Sequence, residues 1–219
     1  GRGVTNSAIS VLEGLKSYEG NKLIYKKGVD VYYGDTNFFT RVDINYNDRI
    51  GFNQARSAAR SSDVVIMVLG EEGYQTGEGR SRTNLLLPGL QQELLEEIYK
   101  INKNVVLVLV NGRPLNISWA DENIPAIVEA WQLGSQAGNA IAQVLYGDYN
   151  PSGKLTMSFP RNVGQVPIYY NYKNTGRPSK SQKAVTTSAY SDVENSPVYP
   201  FGYGLSYTSF DYSDLTISS

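Results

Sequence analysis

Three short apolar segments separated by amphipathic ones limit the folds open to this chain more than any other feature. Residues 64–69 (Val-Val-Ile-Met-Val-Leu) and 105–110 (Val-Val-Leu-Val-Leu-Val) are continuous apolar runs, and residues 126–131 (Ala-Ile-Val-Glu-Ala-Trp) form a third, weaker one. A strand that is apolar at every position has both faces covered, which is the situation in a parallel sheet sandwiched between helices. Residues 88–101 between the first two runs carry Leu90, Leu94, Leu95, Ile98 and Ile101 at helical spacing. Residues 135–146 do the same with Ile141, Val144 and Leu145. The pattern predicts a three-layer α/β sandwich with a mainly parallel sheet over residues 1–160. Right-handed crossovers then bring the carboxyl ends of all three strands to one edge, where open α/β sheets hold their sites. The loops on that edge are residues 70–84, 111–114 and 132–134.

Upstream, Ile9, Leu12 and Leu15 predict a helix over residues 7–18, and residues 22–25 read as a short strand. Residues 27–49 are polar and rich in Asn and Asp, a loop by composition, before a helix over residues 50–60 that buries Phe52, Ala55 and Ala59. Downstream, residues 155–159 alternate as a strand. An irregular arm then runs over residues 161–209 and holds most of the 8 Tyr found after residue 165, of 17 in the chain. Residues 210–219, with Phe210, Tyr212 and Leu215 alternating, read as the start of a further β domain.

Composition removes several classes of function. Lys and Arg number 20 against 21 Asp and Glu, so no basic excess is available for nucleic acid. With no Cys there is neither a thiolate metal site nor a cysteine nucleophile, and with no His there is no Ser-His-Asp triad. No cofactor or metal is expected, and acid-base chemistry falls to carboxylates, Tyr or Lys. The apolar runs are far too short to span a bilayer, so no membrane association is expected. The opening Gly-Arg-Gly, without Met, reads as an internal piece of something longer.

The loop after the first strand is where carboxylates gather. Gly70-Glu71-Glu72-Gly73-Tyr74-Gln75-Thr76-Gly77-Glu78-Gly79-Arg80-Ser81-Arg82 contains four Gly and three Glu. One reading makes a Glu a general acid delivered over a substrate bound largely elsewhere; the other makes the acids a solvated face countered by Arg80 and Arg82. A dinucleotide site is disfavoured, because the spacing is not GxGxxG and three acids would face a pyrophosphate. Asn116-Ile117-Ser118 is a glycosylation sequon beside a buried strand and reads as structural.

These residues resemble a known family. Gly77-Glu78-Gly79-Arg80-Ser81-Arg82-Thr83, Leu87-Pro88-Gly89, Asn111-Gly112-Arg113-Pro114, Gly147-Asp148-Tyr149-Asn150-Pro151-Ser152-Gly153 and Tyr199-Pro200-Phe201-Gly202-Tyr203-Gly204-Leu205-Ser206-Tyr207 are similar to the second domain of glycoside hydrolase family 3, the β-glucosidases, and above all to periplasmic bacterial ones. The resemblance covers nearly the whole chain. It implies a retaining hydrolase of terminal non-reducing β-D-glucosyl residues, periplasmic or secreted, acting on β-glucosides or oligosaccharides. Its nucleophile Asp would lie on a preceding (β/α)8 barrel, and a fibronectin-like domain would follow residue 209. The family's Ser-Asp-Trp nucleophile motif is absent here, since Ser62-Asp63, Ser191-Asp192 and Ser213-Asp214 are followed by Val, Val and Leu. By likeness to members whose loop reads Gly-Glu-x-x-Ser-Arg, the acid is Glu78. By likeness to members with Ser-Gly-Glu-Gly-Tyr, it is Glu71 or Glu72. Glu78 is favoured, because the Arg80-Ser81-Arg82-Thr83 tract is in register with the first group, and Arg80, Ser81 and Arg82 are expected to line the substrate. A carbohydrate-binding or assembly module without catalysis, or the same domain of a β-xylosidase, are the alternatives.

Overall fold

A computed structural model describes residues 7–174, 176–179 and 185–217. Its centre is a parallel three-stranded sheet of β3 (Val65–Gly70), β4 (Val105–Val110) and β5 (Ala126–Glu129), in that spatial order. Val65 is registered with Val105, and Val106 with Ala126. Side chains alternate across such strands, so the two faces collect different residues. Met67, Leu69, Leu107 and Leu109 enter the larger apolar cluster, whereas Val108, with Ile66, Val110 and Val128, enters the smaller.

The larger face is covered by α2 (Phe52–Arg60) and α3 (Gln91–Ile101), which supply Phe52, Ala59, Leu94, Leu95 and Ile98. The short α4 (Ser118–Asn123) adds Ala120. The other face is covered by α5 (Ala137–Tyr146) through Ile141, with α1 (Val11–Lys16) packed on α5. Helices therefore lie on both sides of the sheet, giving the three layers expected from the apolar runs. The seat of α1 on α5 depends on glycine. A Cβ on Gly14 would stand 2.1 Å from the carbonyl oxygen of Gly138, and one on Gly138 would stand 2.0 Å from that of Ser10. A capping box starts α1, with the Ser10 side chain accepting from the Glu13 N–H and the Glu13 carboxylate accepting from the Ser10 N–H.

Several local expectations need correction. Residues 22–25 form no strand; Leu23, Ile24 and Tyr25 are exposed and have no ladder partner. The loop over 27–49 contains a two-residue antiparallel pair, β1 (Tyr32–Tyr33) and β2 (Asp43–Ile44). The helix α4 lies in a segment with no predicted element. The third strand stops at Glu129, because Trp131 takes a left-handed backbone conformation (φ 49°) that a strand cannot contain. Residues 155–159 make one isolated bridge, Phe159 to Tyr199, in place of a strand. Among the described residues after 160 there is a single 3-10 turn, Val163–Gln165, and no strand. Residues 210–217, expected as the first strand of a further domain, pair with no described strand.

Candidate active site

The carboxyl ends of β3, β4 and β5 share one edge, and the loops that leave them are bonded to one another. Glu71 begins the first loop. Its N–H donates to the Val110 carbonyl (2.8 Å), which carries the β3–β4 ladder one residue beyond the strand and fixes where the side chain starts. That side chain is wholly buried. Its Oε1 accepts from Arg82 Nη1 at 2.6 Å and lies 3.0 Å from Arg113 Nε, and its Oε2 accepts from the Gly112 N–H and Arg113 Nε, each at 3.2 Å. A buried carboxylate is tolerated when its lone pairs are satisfied and its charge is met, and here two guanidinium groups meet it.

Glu72 acts locally. Its carboxylate accepts from the Tyr74 N–H (2.7 Å), and its own N–H donates to Gln75 Oε1 (2.7 Å), a reciprocal cap on the 3-10 turn Gly73–Gln75. Thr76 then receives Gln132 Nε2 from the loop after β5 (3.0 Å). It sits so close to Gly112 that a Cβ there would lie 2.8 Å from Thr76 Cβ. The turn Gly77-Glu78-Gly79 follows, closed by the Arg80 N–H donating to the Gly77 carbonyl (3.1 Å). Glu78 is exposed at this turn, and its carboxylate makes no hydrogen bond or ion pair with a described residue.

The flanking residues divide. Arg82 pairs with Glu71, and its Nη2 donates to the Leu86 carbonyl (3.0 Å), so its guanidinium is committed to the protein. Arg80 pairs with no acid among the described residues; it donates to the Phe38 carbonyl (2.5 Å) in the turn between β1 and β2. Of the two arginines that the solvated-face reading set against the loop acids, only Arg82 meets one among the described residues. Ser81 is exposed and makes no hydrogen bond with a described residue.

Three participants carried no assigned role in the sequence. Gln91 opens α3 and bonds both backbone groups of Gly70, tying the end of β3 to the helix at 2.8 Å each way. Arg113 reaches Glu71 with Nε, and with Nη2 it reaches the carbonyls of Gln75 (2.5 Å) and Arg80 (3.0 Å). Glu129 ends β5, accepting from the Trp131 N–H (2.9 Å) and from Asn111 Nδ2 (3.3 Å). Burial outweighs those two hydrogen bonds and raises its carboxyl to about 7. Position signalled two of them, since Arg113 follows the carboxyl end of β4 and Glu129 ends β5, whereas Gln91 opens α3 and reaches the site only through its side chain.

The glycosyl hydrolase family 3 C-terminal domain profile matches residues 1–207. The chain belongs to that family. A periplasmic β-glucosidase of Salmonella typhimurium is 44% identical to this family 3 domain over 99% of the chain and 30% of its own length. A β-xylosidase of Formosa agariphila is 46% identical over 93% of the chain and 26% of its own length. A β-glucosidase of Listeria innocua, crystallised with gluconolactone, superposes with a TM-score of 0.81 at 35% identity, covering 95% of the chain and 27% of that protein. The chain thus spans less than a third of the length of these relatives. The α/β sandwich is the fold of the family 3 C-terminal domain, and no described helix is long and apolar enough to cross a membrane.

Proposed function

We propose that this domain supplies the general acid/base of a retaining β-glucosidase, and that Glu78 is that residue. The observation that carries the reading is the contrast within one loop. Glu71 is enclosed by Arg82, Arg113 and the Gly112 N–H, and Glu72 is taken up in a cap, whereas Glu78 alone presents a free carboxyl on a turn whose flanks are held. A proton donor must come within hydrogen-bond reach of the glycosidic oxygen, and an enclosed, doubly ion-paired carboxylate cannot. In the retaining mechanism an Asp attacks the anomeric carbon while the acid protonates the leaving oxygen, and the same carboxylate then takes a proton from the water that releases the sugar. The two carboxyls stand about 5–5.5 Å apart in such enzymes. On this reading the Asp belongs to a (β/α)8 barrel outside this chain, residues 1–160 form the acid-bearing domain, residues 161–209 link it onward, and residues 210–219 begin a fibronectin-like domain. The substrates are terminal non-reducing β-D-glucosyl residues. The Salmonella relative supports glucose and a periplasmic or secreted setting. The equally similar Formosa relative supports xylose as the second reading.

The test uses the complete enzyme. Loss of a general acid costs about 10² to 10⁴ in rate, less where the leaving group needs no proton. Glu78→Ala should lower kcat/KM on cellobiose far more than on a dinitrophenyl glucoside, and azide should restore part of the turnover of the activated substrate. Equal losses on both substrates without azide rescue, with that signature appearing in Glu71→Ala or Glu72→Ala instead, would move the role to the earlier residue. The same comparison on xylosides decides the sugar.

A further inference from the structure

We propose that Arg113 is a positioning residue for Glu78, holding both flanks of the acid-bearing turn against the loop that follows β4. The inference rests on Glu78 being the acid. A turn of sequence Gly77-Glu78-Gly79 has little stiffness of its own, because glycine opens backbone conformations that other residues avoid. The Glu78 side chain has no described partner to restrain it. Whatever fixes the height and direction of this carboxyl must therefore act on the backbone to either side.

One guanidinium does so. Arg113 Nη2 donates to the carbonyl of Gln75, three residues before Glu78, and to that of Arg80, two residues after it. The same group anchors itself through Nε on the buried Glu71 carboxylate. Arg113 is in turn held by its own backbone, since its carbonyl accepts from Asn111 Nδ2 (2.8 Å) and the preceding Gly112 N–H donates to Glu71. Glu71 thus serves as a buried post, and Arg113 as the fork that carries its position to the turn. Planar donors at fixed angles suit this task; a lysine ammonium keeps the charge but cannot span Glu71 and two carbonyls at once.

The attachment is separable from the fold. Glu71 keeps Arg82 and the ladder bond to Val110, and Gly70 keeps Gln91, without any help from Arg113. Losing the fork frees the turn and leaves the base of the loop in place. Misplacing a catalytic group by about 1 Å can cost about 100-fold in rate.

The test is the leaving-group dependence of kcat/KM in the complete enzyme, using aryl β-glucosides from dinitrophenyl to unsubstituted phenyl, together with cellobiose. Arg113→Lys retains a cation beside Glu71 and is the first variant. It should lose about tenfold or more on phenyl glucoside and cellobiose while staying within about twofold on the dinitrophenyl substrate. Arg113→Ala should show a larger loss of the same kind, partly reversed by added guanidinium ion but not by an equal concentration of ammonium. A uniform loss across all leaving groups, or no loss, in Arg113→Lys with an unchanged melting midpoint overturns the inference. If the Lys variant does not fold, the separability argued above is wrong and the inference falls with it. The two readings fail separately. A Glu78→Ala enzyme without leaving-group dependence removes the acid assignment itself, whereas a Glu78→Ala enzyme that has it beside an Arg113→Lys enzyme that lacks it removes only the role of Arg113.

Discussion

The sheet domain and the segment after it are built on different physics. Every described residue that is both apolar and buried lies at or before Pro160, and after that point Gln165 is the single buried residue among those described. The segment is held mainly by individual polar bonds, with Val198 and Tyr199 packed against the core from its edge. Leu155 and Phe159 trade backbone hydrogen bonds with Tyr203, Gly202, Tyr199 and Val198, Gln165 donates to the Glu194 carbonyl, and Tyr207 donates from its hydroxyl to the Val144 carbonyl (2.6 Å). Of its aromatics, Tyr170 stacks on Phe201 at the surface (4.7 Å), while Tyr199, half-buried against Phe159, stacks on Tyr203 (4.8 Å). Burial stabilises roughly in proportion to the apolar area removed from water, whereas each hydrogen bond contributes only about 0.5–1.5 kcal/mol net. Local opening should therefore begin after residue 160 and leave the sheet intact.

The largest effect should come from cutting into the sheet. Leu107 lies in the central strand with no accessible surface. Leu107→Ala leaves a cavity between β4 and the α2–α3 layer and should cost about 2–5 kcal/mol. Leu205, 73% exposed on the later segment, should tolerate the same truncation within about 0.5 kcal/mol. Denaturant unfolding of the two variants measures the contrast. Equal losses would mean that the later segment shares the core, and the division drawn above would be wrong.

The same division governs what the sequence discloses. The strands β3 and β4 can be read to within a residue, because a sheet covered on both faces demands an uninterrupted apolar run and two such runs are unmistakable. Helix α3 shows its buried stripe equally well. By contrast, Leu23, Ile24 and Tyr25 look like a strand but find no partner, and pairing is a property of the whole fold that no local pattern contains. α4 escapes notice because only Ala120 of its six residues is buried. At the site, the loop with its three acids is visible from composition and position. What separates Glu71 from Glu78 is not, since burial of the first depends on Arg113, 42 residues away. Glu129 hides for a related reason: within an apolar segment it reads as one polar interruption, and its environment is made by Asn111 and the turn at Trp131.

Glu129 offers a sharper probe of the sheet edge, through pH. Its carboxyl is raised from the ordinary 4.5 to about 7, with burial as the largest cause. Below pH 4.5 folded and unfolded chains both hold this proton. Between 4.5 and 7 the unfolded chain releases it while the folded chain retains it, so the stability present at low pH is progressively lost as pH rises, levelling off above 7. A shift of this size corresponds to about 3 kcal/mol at full development. Glu129→Gln should flatten that part of the stability profile relative to the parent, as followed by denaturant midpoints from pH 4 to 8. A difference profile that does not vary with pH would mean that Glu129 is solvated and that this edge is wetter than its geometry indicates.

The smallest effect is expected where the two regions meet. Tyr199 packs its ring edge-on to Phe159 (6.2 Å) and donates its hydroxyl to Asp121 on α4 (2.6 Å), with burial and that hydrogen bond both holding the phenol protonated well above its ordinary range. Tyr199→Phe keeps the ring contact and removes the hydrogen bond. Asp121 is exposed, so water replaces the lost donor and no buried charge is left unmet. The cost should fall at the low end of the range for a single hydrogen bond, about 0.5–1 kcal/mol, in global unfolding. The local consequence should be clearer. If the segment opens independently of the sheet, Tyr199→Phe should speed protease cleavage near residues 190–198 while cleavage within β4 stays at the parent's rate. Faster cleavage at both places together would show that the later segment and the sheet unfold as one unit, and the contrast between them would then concern composition and not stability.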